Sequence, residues 1–500
     1  MLQRHSRALD SLTRGQLALG LGALFVLSRL GYYWGLGVRF NDYPLRVYWQ
    51  FLAPRLLRTR LLESLLYLHS QPPLFNLYLG AVLKLGGPRP APLLHAVSLA
   101  CGLGVLLVSF SLMRRLGVSR GLAAVLSLWL VTSPAFVAYE NWLFYSLPMA
   151  LLLAASALLL EGFLRRGGAL RGLGFFFLLF LIGATRSVFH LAWFLLVLAG
   201  LLAVRRPPRC AVLRAAALPL LLLVALYAKN LALFGSFSSS SWLGMNLARL
   251  TVEELAPEER ERLIASGRLS ELSRVPAFGR PSQYPPELSE PDPRFAGVPA
   301  VSWLDKLTEA ANYNHLGYAR VSRLYLGDAL WVLRHRPATY LRGVGKAWEI
   351  YFRSASSLKF LGVENRRRLA TAFDVYDYVF FGRVPWVGFP RTELGEADFS
   401  GARYLALWVG LPLVLGFGVA AALGRVGALG REGRVVVGYL CFNIAWVALV
   451  GNLLELGENN RFRFETDPLS LVLLGLLLET WASTRSGKSP ESAPNQASAS

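Results

Sequence analysis

Apolar residues recur in long runs along this chain, and short basic loops separate most of them. The long runs cover 16–36, 91–113, 118–138, 147–164, 172–185, 188–204, 211–228, 402–424, 435–455 and 468–483. A helix that crosses a bilayer needs about 20 mostly apolar residues. The pattern therefore predicts an all-α polytopic membrane protein with about ten spans, of which 172–185 and 468–483 are short. A further run, 73–86, follows Pro72-Pro73. At ~1.5 Å per residue it reaches only about two thirds of the hydrocarbon core, and it reads as a helix that dips in and returns.

Between the runs the pattern changes. Leu57, Leu61, Leu65 and Leu68 recur at helical spacing, with Arg55, Arg58 and Glu63 between them. That predicts one amphipathic helix over 55–68 lying in the interface plane. The segment 229–401 is too polar to span and reads as a cap with interfacial helices. Within it Thr251 and Glu254 suggest a capping box, 275–299 is Pro-rich and irregular, and an amphipathic stretch near 320–355 is broken at Pro337. The organisation expected is an N-terminal module of seven spans over 1–228, the cap over 229–401, the last spans over 402–483, and a disordered Ser/Pro/Ala-rich tail over 484–500.

Charge fixes the expected orientation. Basic clusters at Arg4/Arg7/Arg14, Arg114/Arg115/Arg120, Arg165/Arg166/Arg171, Arg205/Arg206/Arg209/Arg214, Arg425/Arg431/Arg434 and Arg485/Lys488 all fall on one side if the ten runs alternate. By the positive-inside rule that side is cytoplasmic. The first run lacks a small-residue cleavage site and reads as a retained anchor. Segments 37–72, 139–146, 229–401 and 455–467 then lie outside, and chemistry is expected there.

Composition narrows the class. Hydrophobic residues make up 54% of the 500, and only 17% are charged. Average soluble domains carry about 25% charged residues, so the composition argues against a soluble globular protein and excludes a disordered one. The net charge of +21 sits in loops between spans, which makes it a topology signal and not a nucleic-acid footprint. The three cysteines, Cys101, Cys210 and Cys441, have no metal-site or disulfide spacing.

The outer segments supply the candidate residues. Asp42 follows the first span, and an acid at a membrane boundary is a functional hypothesis by default; a solvated loop or cap is the plain alternative. His69, Gln71 and the two prolines follow the amphipathic helix. Glu140 is a lone acid between two spans and needs water, a cation or a partner. Arg186 ends another span, either snorkelling or fixed as a cation for a phosphate. The cap contributes Asn246 and His315. Segment 455–467 carries Glu458 and alternates Arg461 and Arg463 with Phe462 and Phe464. If extended, that alternation puts arginines on one face and aromatics on the other, a pattern suited to a lipid phosphate.

Asp42 after the first span, the amphipathic helix and Pro72-Pro73-Leu74 together resemble the polytopic type-C glycosyltransferases. The nearest likeness is to the protein O-mannosyltransferase and aminoarabinose-transferase group, which is glycosyltransferase family 39-like. Arg461-Phe462-Arg463-Phe464 with Asp467-Pro468 resembles the Arg-(Tyr/Phe)-Arg-Phe and Pro element before a late span in that group. The chain departs from the pattern at Tyr43, where many members carry a second acid. It also departs at Gln71, where the family has His or Lys and this chain has His69 two residues earlier.

The resemblance implies transfer of a sugar from a polyprenyl-phosphate donor on the extracytoplasmic face. In that reading Asp42 is the base of an inverting transfer. Arg186, Arg461, Arg463 and His69 hold the donor phosphate and lipid, and Glu140, Gln71, Asn246, His315 and Glu458 support the acceptor. No cofactor and no metal is required, although Glu140 with Asp42 could hold a divalent cation. The expected partners are the lipid-linked sugar and membrane lipid, with no nucleic acid. A bacterial inner membrane is the expected location and an ER membrane the alternative. The rival functions are a transporter or flippase of lipid-linked glycans, which calls for mid-span charges, and a polymerase or ligase of such glycans.

Overall fold

A computed structural model describes residues 13–204, 207–290, 292–306, 310–386 and 401–485. Arg4, Arg7, Arg205, Arg206, Lys488 and the tail from 486 lie outside the described residues.

All ten expected runs are helical in whole or in large part. Among the described residues five helices are long and apolar enough to cross a membrane: Gly15–Gly35, Ala91–Arg115, Ser146–Arg166, Arg209–Phe234 and Arg431–Leu454. The chain is a helical membrane protein. Arg120–Thr132 and Pro134–Glu140 would add a sixth, but they are bent by 59° at Ser133. The bend has a cause: Ser133 leaves helical geometry, caps the next helix by accepting from the Phe136 N–H, and Pro134 follows.

The expected count of ten spans is not reached. Ala169–Thr185, Leu191–Val204 and Ala406–Ala422 are shorter apolar helices. The 17 and 14 residues of the first two cover about 25 and 21 Å against a core of about 30 Å. The run expected from 402 starts late because Gly401–Tyr404 pairs antiparallel with Arg383–Trp386 in a two-stranded ribbon. Leu74–Leu85 is a 12-residue helix.

Basic helix ends gather at one end of the bundle. Arg115 and Arg165 both pair with Glu161. Ser119 donates its N–H to Glu479, Arg431 donates to the Val204 carbonyl, and Gly433 packs beside Leu116.

The cap is built on apolar clusters of its own. Trp242, Met245, Tyr313, Tyr318 and Tyr325 form one with Trp49, and Leu250, Ala347 and Leu456 belong to another. The break at Pro337 appears as expected between Leu316–His335 and Pro337–Tyr351. Helix Leu243–Leu250 lies directly on Leu316–His335, because a Cβ on Gly244 would meet the Ser322 carbonyl oxygen.

Two local expectations fail. The stretch 55–68 is not one helix but Pro54–Thr59 and Leu61–Leu66, broken at Arg60 (φ −133°, ψ 43°). The capping box does not form. Thr251 donates to the Leu247 carbonyl, and Glu254 is drawn into a buried ion pair with Lys346 at 2.7 Å.

Candidate functional site

The last two helices meet in a tight reversal at the end of the bundle away from the basic clusters. Arg431–Leu454 ends there, Gly457 adopts φ 129°, and Asn459–Arg485 begins. Asn459 stitches the turn: its Oδ1 accepts from the Gly457 N–H at 3.0 Å, and its Nδ2 donates to Asn452 Oδ1 at 2.9 Å. A side chain at 457 would collide with Arg249, since a Cβ would sit 2.9 Å from its Nη2. Glycine here serves both the left-handed backbone and the close approach.

Segment 459–467 is helical and continues through Pro468, which corrects the extended reading of the Arg-Phe alternation. The consequence is geometric. Two residues along a helix rotate a side chain by about 200°, so Arg461 and Arg463 leave the helix on opposite sides. Arg463 sits near Asp467, 3.8 Å away, and lines a separate cavity with Trp129 and Phe136. It does not join Arg186.

Arg461 does join it. Gln71, Arg186, Asn246, Arg249, Glu455, Glu458 and Arg461 line one chamber, walled by Trp49 and Trp242. Its volume is about 60 Å³, room for about four waters at ~15 Å³ each. Ser187, Val188, Ser240, Asn246 and Glu455 also line a neighbouring cavity of about 460 Å³. That second space is apolar over much of its wall, with Leu191, Leu195, Leu243, Val450 and Leu454.

Two of the chamber's cations, Arg186 and Arg461, are buried and held by rings as well as by acids. Arg186 pairs with Glu465 and lies 4.0 Å from the centre of the Phe462 ring. The Nε of Arg461 donates to Glu458 at 2.7 Å, and its guanidinium lies 4.6 Å from the Phe144 ring. Its Nη1 is buried and has no hydrogen-bond acceptor; Glu465 Oε1 is 3.8 Å away, too far for one. Arg249 makes no ion pair or hydrogen bond among the described residues, nor does the side chain of Glu455. Burial raises the Glu455 carboxyl above the usual carboxylate range, and the charge of Glu458 raises it further, against the pull of Arg461 and Arg186.

The other predicted residues sit elsewhere. Glu140 is no lone acid. It forms a bidentate pair with Arg29, Nε to Oε1 at 2.8 Å and Nη2 to Oε2 at 2.7 Å, with both side chains buried. It is therefore not available to share a cation with Asp42.

Asp42 is half-buried and lines neither cavity. Its carbonyl accepts from the Leu45 N–H at 3.0 Å as the helix Pro44–Val47 begins, and its carboxylate has no partner among the described residues.

His69 also lies outside both cavities. Its Nδ1 meets Ser241 Oγ at 2.8 Å, and burial and then Lys229 push its pKa down to about 3. It is neutral at pH 7 and a poor phosphate ligand. His315 caps helix Leu316–His335 by accepting from the Gly317 N–H at 3.0 Å, which is a structural task.

The sequence reading missed Glu455, Arg249, Trp49 and Trp242. For Glu455 a signal existed: an acid directly after a span, three residues before Glu458 in a helix-to-helix turn. For the other three there was none, because they reach the chamber from parts of the chain that only the folded cap brings near. Among the described residues no three His, Cys, Asp or Glu side chains converge as a metal site would need.

The fold and site define a helical membrane protein with a guanidinium–carboxylate chamber that shares wall residues with an apolar cavity. No family model matches the chain, and neither a curated protein nor a solved structure matches it.

Proposed function

We propose that the protein is a membrane glycosyltransferase that moves a sugar from a polyprenyl-phosphate donor, on the extracytoplasmic face of a bacterial inner membrane. The observation that carries the reading is the meeting of Arg186 and Arg461 at a chamber that shares its wall with an apolar cavity. A lipid-linked sugar phosphate has that same division: a doubly charged or diester phosphate suited to guanidinium forks, and a tail that must stay in hydrocarbon.

In the reaction the acceptor hydroxyl or amine attacks the anomeric carbon, and the bond from that carbon to the phosphate oxygen breaks. The electron pair leaves with the polyprenyl phosphate, where Arg186 and Arg461 stabilise the added charge. The acceptor proton passes to a carboxylate. Glu455 suits that role better than Asp42, because it lines the chamber, its carboxylate makes no direct ion pair or hydrogen bond among the described residues, and burial raises its pKa. The inner chamber is small, so the sugar enters with outward movement of Trp49 or of the cap side chain Trp242.

The test is transfer of radiolabel from polyprenyl-phosphate sugars by membranes containing the protein. Wild-type membranes are expected to label an acceptor, and Glu455→Gln to slow transfer by about 10²–10⁴-fold, the range for a general base. Wild-type rates in both Glu455→Gln and Arg461→Gln would contradict the proposal.

A further inference from the structure

The opposite side of helix Asn459–Arg485 carries a second cavity that the proposed reaction does not use. Its volume is about 300 Å³, at the small end of the ~300–1,000 Å³ typical of ligand sites. Trp129, Phe136, Phe380, Leu407, Val414 and Leu471 belong to its wall, and Arg463 and Asp467 are the only charged lining residues among the described residues. Phe380 is 48% exposed, so this wall reaches the outer surface of the bundle. Between this cavity and the Arg186–Arg461 chamber, Phe464 stacks on Tyr139 with ring centres 3.8 Å apart.

Arg463 is 1% exposed. Its Nε and Nη1 have no hydrogen-bond acceptor, and the nearest carboxylate oxygen, on Asp467, is 3.8 Å from Nε. A buried guanidinium with unused donors is costly unless an anion completes it. Asp467 offsets the charge without taking those donors, and the rest of the wall is mainly apolar, so the acceptor that takes them has to bring an apolar portion with it.

We propose that this cavity binds one anionic glycerophospholipid, with an acyl chain among the aromatic side chains and the phosphodiester on Arg463. The site is independent of the sugar-transfer reading. The unused Nε and Nη1 of Arg463 select the phosphate, and a net anionic headgroup brings no cation to compete with Arg463 for Asp467. Cavity volume limits the occupancy to one chain.

The experiment is native mass spectrometry of the purified full chain, incubated in detergent with equal amounts of phosphatidylglycerol and phosphatidylcholine. Wild type is expected to retain one phosphatidylglycerol per chain with about ten-fold preference, the factor that corresponds to ~1.4 kcal/mol of discrimination. Arg463→Gln should bring the ratio close to one. Val414→Trp leaves the charge intact and fills the cavity, and it should lose the bound lipid altogether. Arg461→Gln, on the far side of the helix, should keep the preference. The proposal is overturned if Val414→Trp retains phosphatidylglycerol as wild type does, if Arg463→Gln keeps the ten-fold preference, or if a polyprenyl phosphate displaces phosphatidylglycerol from the wild-type protein. Failure of sugar transfer would leave all these outcomes unchanged, so the two proposals fall separately.

Discussion

Two buried guanidinium sites in this protein use the same residue types and do different things. At Arg29–Glu140 each charge has one partner, the contact is bidentate, and Gly102 leaves just enough room: a Cβ there would meet Glu140 Oε2. Nothing else fits. At Arg186–Arg461 the guanidinium groups share acids between them, lean on aromatic rings, keep an unused Nη1 and border open space. A closed pair ties the first helix to the helix ending at Glu140. An open cluster keeps donors for something that is not part of the chain. The difference lies in packing and stoichiometry, since both sites are equally buried.

Breaking the open cluster should cost function first. Arg461→Gln removes the donor nearest the vacant space and is expected to slow sugar transfer by about 10²–10³-fold, as loss of one charge-stabilising donor does elsewhere. The folded fraction, read by size-exclusion chromatography, should stay close to wild type. In the same assay Asp42→Asn should change the rate by less than about three-fold, a difference worth under ~0.7 kcal/mol, because Asp42 lines neither cavity.

Breaking the closed pair should cost stability first. Glu140→Gln leaves Arg29 as an uncompensated buried charge, and such losses run to about 3–5 kcal/mol. A lowered midpoint in thermal unfolding in detergent is the readout, with near-normal transfer by the protein that remains folded. If Glu140→Gln instead lost activity at unchanged stability, the division between the two sites would fail.

Acid should destabilise the fold through two buried histidines, His69 and His315. Burial holds the pKa of His69 near 3 and that of His315 near 4, below the ordinary value of about 6.5. Between those values the unfolded chain binds more protons than the folded one, so stability rises with pH across this window. It is lost as pH falls from 6.5 toward 4, by up to ~1.4 kcal/mol per pH unit for each histidine. His315→Asn keeps a capping acceptor and removes one of the two groups. It should make the fall in unfolding midpoint between pH 6 and pH 4.5 visibly shallower. Smallest of all, separating the surface pair Arg336–Glu259, 2.7 Å apart and partly exposed, should cost less than about 1 kcal/mol.

The sequence made some of this legible. Apolar runs became helices because composition and length decide that locally, and Pro337 broke a helix where backbone chemistry requires it. The span count failed where runs were short or interrupted, at 172–185, 188–204 and 118–138, since length alone does not say whether a helix crosses.

Pairing was illegible for a different reason. Arg29 sits inside the first apolar run, and nothing near it in sequence points to Glu140. Arg463 was misread because alternation has one meaning in a strand and another in a helix, and the Pro468 that seemed to mark a helix start is carried within it. Arg186 and Arg461 could be singled out by type and position, yet their convergence, and the presence of Glu455 and Arg249 beside them, depends on the reversal at Gly457 and on the folded cap.

The most direct measurement is photo-crosslinking with a polyprenyl phosphate carrying a diazirine near its phosphate end, followed by peptide mapping. The account predicts adducts within 187–195 and 450–462, lost in Arg461→Gln. Adducts confined to 374–414, or wild-type labelling of the Arg461→Gln protein, would contradict it.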